Sequence, residues 1–133
     1  MKKPIVISMP LFIDMGKKKI KRHYINLNAY RNLHYQVNNN LKIAYKAIVA
    51  PQIKGMVFRR IKLTFVLHRG DKRRVDRANI LSVHEKYFSD ALVELGCLPD
   101  DQDSYIESSH YYTGEIDKEN PRVDIFIEDS YFK

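Results

Sequence analysis

Hydrophobic and polar positions along this chain switch between two periods. Ile5-Val6-Ile7 within PIVISMPLF predicts a first strand, which Pro4 and Pro10 push toward a sheet edge or its ends. Val57 to His68 (VFRRIKLTFVLH) is rich in β-branched and aromatic residues and predicts a strong strand. Ser104 to Tyr112 alternates loosely, and Arg122 to Glu128 alternates with Val123, Ile125 and Ile127 on one face. Helical spacing takes over at Ala29, Leu33, Val37, Leu41, Ala44, Tyr45 and Ile48, with Asn26 or Asn28 as cap. A break is expected in that helix at Asn38-Asn39-Asn40, and Pro51 and Gly55 end it. A second helix spans Asp76 to Leu95, where Ile80, Phe88, Ala91, Leu92 and Leu95 share a face with His84 and Tyr87. Asp76, Asn79, Lys86 and Asp90 gather on a separate polar sector. Gly96 and Pro99 stop this helix. Met15 to His23 reads as a basic loop and Gly114 to Pro121 as a polar hairpin loop. The order strand, helix, strand, helix, strand, strand predicts one α/β (α+β) domain over residues 1–133. About four strands form a mixed sheet with two main helices against it.

Composition narrows the class. A chain of 133 residues, 44% hydrophobic with nine Tyr and six Phe, can bury a core without staples. No run approaches a membrane span, and no secretory signal is evident, so no membrane partner is expected. The single cysteine, Cys97, fits a reducing, cytoplasmic setting and reads as a buried thiol near a helix end. Net charge is +7, yet 16 acids remain and are segregated. Lys17, Lys18, Lys19, Lys21 and Arg22 form one basic cluster, Arg59-Arg60 a second, and Lys72-Arg73-Arg74 a third. Acids concentrate at Asp100–Asp103 and in the tail from Asp124 to Asp129. Basic surfaces neutralise phosphates and a carboxylate cluster holds divalent cations, which together suit a metal-dependent enzyme acting on nucleic acid.

Other chemistries lack their signatures. No GxxxxGK[ST] or GxGxxG loop exists, so no nucleotide cofactor is expected. The five histidines are scattered without zinc spacing and read as surface or half-buried groups. Ser82 and Ser89 show no Ser–His–Asp logic. Tyr24, Tyr30 and Tyr35 sit in a basic setting where base stacking is conceivable, and core packing is expected for at least two. Spacing also raises an obstacle to a shared metal site. Asp76 and Asp100-Asp101 flank a helix with a rise of about 30 Å. They meet only if the segment after Gly96 folds back, or if the carboxylates come from two subunits.

The central run carries a resemblance. Asp71 to Asn79 (DKRRVDRAN) resembles the DxRRxDxDN segment of the RusA family of Holliday junction resolvases, and Lys86 to Leu92 (KYFSDAL) matches its KxxxDAL. Gly96 and the Asp100-Asp101 pair fall at the family spacing. PRVDIFIED is similar to the family's last strand and VISMP to its first. The resemblance covers most of the chain and implies a small homodimeric Mg²⁺-dependent endonuclease, with Mn²⁺ as a substitute. Its implied substrate is branched DNA, its origin a phage or prophage, and its setting the bacterial host's cytoplasm. It implies catalytic roles for Asp76, Lys86 and Asp101, with Asp100 the first member of the acidic pair and Asn79 and Asp90 at further motif positions.

Two departures matter. Ala78 stands where the family has a second catalytic aspartate, and about four extra residues separate Asn79 from Lys86, roughly one helical turn. The missing oxygen is expected from Asn79, Asp90 or Asp103; otherwise the protein binds junctions without cutting them. In the nuclease expectation Asp76, Asp100 and Asp101 hold Mg²⁺ and Lys86 offsets charge on the phosphate. Lys17 to Arg22, with Arg73 and Arg74, position the DNA backbone without reading bases. A phage regulatory or structural protein is a third reading.

Overall fold

The structure is a computed structural model and describes residues 4–129. Its elements are β1 (Ile5–Pro10), β2 (Phe12–Met15), β3 (Lys21–Tyr24), α1 (Leu27–Asn32), α2 (Tyr35–Ile53), β4 (Ile61–His68), α3 (Arg77–Glu94), β5 (Ile106–Thr113) and β6 (Arg122–Asp129). Four strands make a mixed sheet in the order β1-β6-β4-β5, with only β4 and β5 parallel. Its period-two pattern fixes the register. Ile7, Ile125, Phe65 and Tyr111 line up across the four strands on the face toward the helices. Val6, Phe126, Thr64 and His110 line up on the other face. Ile61, Leu63, Phe65 and Leu67 are fully buried, each contributing about 2 kcal/mol of apolar burial.

The helices lie on one side of that sheet. In α2, Leu41, Tyr45, Val49 and Ile53 are buried at four-residue spacing. In α3 the buried set is wider than expected: Leu81, Val83, His84, Tyr87, Phe88, Ser89, Ala91 and Leu92. The reason is that α3 meets the sheet on one flank, where Phe65 and Phe88 pack edge to face, and α1 and α2 on another, where Tyr87 touches Tyr30 and Tyr45. His84 is fully buried rather than half-exposed, its Nδ1 2.9 Å from the Tyr45 hydroxyl.

Several boundaries differ from the sequence expectation. The helix break falls at Leu33–His34, because Asn26 caps a short first helix and the His34 ring accepts the Gln36 amide to start the next. Asn38 stays helical and takes the Tyr87 hydroxyl on its side chain, a tertiary contact that overrides its propensity. Pro51 does not end α2; it sits in the last turn, where only one further turn of bonding is at stake. Residues 57–60 are not strand, since Phe58 is instead anchored to the Cys97 carbonyl. The basic loop is a two-stranded hairpin, β2 on β3, turning at Gly16 with φ 147°. Residues 114–121 are not a hairpin loop, because β4 lies between β5 and β6 and the segment crosses its end. Of the three tyrosines, Tyr24 and Tyr35 are exposed and only Tyr30 packs against the core.

Candidate functional site

The helix α3 is built to hold a side-chain row in place. Asp76 caps it, accepting the Ala78 amide at 3.1 Å. At the other end Gly96 adopts φ 77°, its amide bonds the Val93 carbonyl, and Cys97 bonds the Leu92 carbonyl at 2.8 Å. These two bonds form a Schellman cap with Leu92 and Cys97 packed beneath it. The chain then turns back. Phe58 to Cys97 and Ile61 to Tyr105 are backbone bonds of 2.8 Å that pin both ends of the returning segment. Between the pins, Asp100 to Asp103 bulge toward solvent, and β5 begins beside the C-terminal half of α3.

This return creates a groove of about 580 Å³ between α3 and β5. From α3 come Ser82, Glu85, Lys86, Ser89 and Asp90; from the returning segment come Asp101 and Asp103; Glu107 and Ser109 lie on β5. Lys86 and Asp101 are exposed, so solvent reaches both. Asp90 pairs with Lys42 of α2 at 3.3 Å, and Glu107 lies 3.6 Å from both Arg60 and Lys62. Glu85 accepts the Tyr111 hydroxyl; burial first, and then this bond, push the phenol pKa far up and keep it a donor. Ser82 Oγ is buried in the groove wall with no hydrogen-bond partner.

Of the residues singled out from sequence, Lys86, Asp90, Asp101 and Asp103 meet in this groove, and Asp76, Asn79 and Asp100 do not line it. Asp76 is fourteen residues before Asp90, about 21 Å of helix rise. Asn79 is partly buried, its amide on the Asp76 carbonyl. Asp100 is spent on its own turn, taking the Asp101 amide at 2.8 Å and the Gln102 side chain at 2.6 Å. Glu85, Glu107 and the serines were not anticipated. Ser82, Glu85 and Ser89 recur at three- to four-residue spacing, a helical row legible in principle, whereas Glu107 joins only through the fold of the return.

The basic residues occupy two places. Lys17, Lys18 and Lys19 project from the β2–β3 turn, Lys21 is exposed on β3, and Arg22 is held 3.2 Å from Asp14 with its guanidinium 3.8 Å over the Phe12 ring. Arg73 and Arg74 lie in the exposed segment before α3, where Asp71 caps the Arg73 amide. Among the described residues no group of three or more His, Cys, Asp or Glu side chains is arranged to hold a metal ion. Magnesium asks for less, since it keeps several waters and takes one or two carboxylates with a substrate phosphate. Asp101 and Asp103 are two carboxylates lining one groove, and no three-carboxylate cage exists among the described residues.

On the opposite face Asp124 accepts from Ser8 Oγ at 2.8 Å and Arg122 Nε at 3.0 Å, with His68 Nε2 at 3.3 Å. Serine here bonds the carboxylate rather than the imidazole, so no base activates it and the cluster is structural.

No model of a known protein family matches the chain, and no curated protein matches it. Among the described residues no helix is long and apolar enough to cross a membrane.

Proposed function

We propose that the protein is a magnesium-dependent endonuclease acting on branched DNA, with four-way junctions as the leading substrate and a two-fold dimer as the working form. The observation that carries this reading is the convergence of Lys86, Asp101 and Asp103 in one open groove on a chain of net charge +7. Asp101 and Asp103 would hold Mg²⁺, which supplies charge neutralisation at the phosphate. Lys86 lies in the same groove and offsets the negative charge that grows as water adds to phosphorus and the P–O bond breaks. The lysines of the β2–β3 turn and Arg73-Arg74 supply backbone contacts without base readout. The resemblance of DKRRVDRAN and KYFSDAL to RusA resolvases names the substrate class.

The test is incubation of purified protein with a labelled four-way junction and Mg²⁺. Paired symmetric nicks, abolished in Asp101→Asn, are the expected result. A second reading has its own support in Ala78 and in the distance of Asp76 from the groove, both of which remove oxygens from the metal site. It makes the protein a junction binder, and tight binding without cutting in Mg²⁺ or Mn²⁺ would establish it instead.

A further inference from the structure

The ladder between β4 and β5 has no place for Glu107. Ile61 pairs with Ile106 and Lys62 with Ser108, so Glu107 is one residue too many, a bulge in an otherwise regular parallel pair. A bulge interrupts the ladder and re-aims the side chain it carries, and bulges recur beside active sites for that reason. Here the re-aimed carboxylate lines the groove between α3 and β5. Its Oε1 lies 3.6 Å from the Arg60 guanidinium and its Oε2 3.6 Å from the Lys62 ammonium. Arg60 belongs to the basic pair Arg59-Arg60, which has no part in the chemistry above.

Two cations share this one carboxylate, and at 3.6 Å both contacts are ion pairs too long for hydrogen bonds. Glu107 therefore holds Arg60 and Lys62 by charge and leaves their N–H groups for a better acceptor. A backbone phosphate is such an acceptor, since its oxygens can take two parallel N–H bonds from an arginine and a third from a lysine. We infer that Arg60 and Lys62 clamp a DNA phosphate next to the one received by Lys86, Asp101 and Asp103. Glu107 keeps the two cations in position until that phosphate displaces it. The strand then crosses the start of β5, from the acidic return toward β4. The identity of the ligand as DNA rests on the nuclease reading; the placing of an anion between Arg60 and Lys62 rests on the bulge and the two ion pairs.

Affinity for a labelled four-way junction, measured against salt without divalent metal, tests the clamp apart from cutting. Each phosphate neutralised adds about 0.9 to the slope of log K on log salt, so the double variant Arg60→Gln/Lys62→Gln should lower the slope by about that much. Glu107→Gln should tighten binding about three-fold at fixed salt, the scale of releasing exposed ion pairs. In the Arg60→Gln/Lys62→Gln chain the same Glu107→Gln change should add nothing, because the cations it competes for are gone. Glu94→Gln, whose carboxylate pairs with Lys46 at 3.0 Å and does not line the groove, should leave affinity unchanged. A slope equal to that of wild type in the double variant overturns the clamp. So does a gain from Glu107→Gln that survives without both cations, which would be general charge repulsion. Nicking by a wild type whose slope the double variant does not change removes the clamp alone. A lowered slope in a protein that never nicks supports the clamp and removes the nuclease reading alone. A wild type that does not bind the junction overturns both.

Discussion

Two acidic clusters lie on opposite faces of the same sheet and are built on opposite principles. Asp124 is 8% exposed, and Ser8, His68 and Arg122 converge on it; Arg122 is itself held by Asp117 at 2.7 Å. Asp101 and Asp103 stand in an open groove on a segment pinned only at its two ends. The carboxylate that three side chains already converge on is held as part of the scaffold, while the exposed ones keep oxygens for a ligand. Connectivity therefore separates scaffold from chemistry more sharply than charge does.

The largest expected effect breaks or upholds that separation directly. Asp101→Asn should lower junction nicking by at least about 100-fold, the scale of losing one pre-organised charge at a reacting phosphate, with the urea midpoint unchanged. Asp124→Ala should do the reverse. Removing this buried carboxylate leaves Ser8, Arg122 Nε and His68 Nε2 without it, although Asp117 still holds Arg122, and costs about 2 kcal/mol, read from urea unfolding, with nicking per folded molecule preserved. If Asp124→Ala abolishes nicking at full stability, the assignment of the two clusters is inverted.

The same contrast explains what the sequence made legible. The four strands of the main sheet and α3 are legible because Ile61 to Leu67 alternate cleanly and Asp76 and Gly96 mark both ends of the helix, whereas the β2–β3 hairpin reads as a loop because its lysines mask any alternation. The break at Leu33 is not legible, since Asn38-Asn39-Asn40 is the weaker local sequence, and the Tyr87–Asn38 bond and the buried face from Leu41 onward are tertiary. The place of β6 between β1 and β4 is a long-range pairing that no local period encodes. The motif resemblance puts Asp76, Asn79, Lys86, Asp90, Asp100 and Asp101 at one site, with Asp103 as a replacement oxygen; Lys86, Asp90, Asp101 and Asp103 share the groove, and Asp76, Asn79 and Asp100 do not line it. Glu107 was missed because it joins them only through the return after Gly96. His84 reads as a surface or half-buried group because a single histidine on an apolar face carries no sign of the Tyr45 that meets it.

His84 gives the next prediction. Burial pushes its imidazole down to about 3, so the folded protein holds it neutral. The unfolded chain, with a histidine near 6.5, takes up the proton first as pH falls. This contribution to stability is therefore complete above about pH 6.5 and is lost as pH drops toward 3, at about 1.4 kcal/mol per unit. Urea midpoints between pH 7 and pH 4 should fall more steeply in wild type than in His84→Gln. Equal slopes would mean that the ring is hydrated and outside the core.

The smallest expected effect concerns Asp90, which lies between the two kinds of cluster. It lines the groove, yet Lys42 stands 3.3 Å away and both side chains are about one-third exposed. An ion pair so placed is worth about 0.5 kcal/mol or less, so Lys42→Met should barely move the urea midpoint. Its value lies in the metal titration. A carboxylate already neutralised by a lysine is a poor magnesium ligand, and Asp101 and Asp103 leave room for water and phosphate on the ion without it. The Mg²⁺ concentration for half-maximal nicking should stay the same in Lys42→Met. A shift to lower Mg²⁺ would mean that freeing Asp90 adds a ligand, which would make it the oxygen that Ala78 fails to provide.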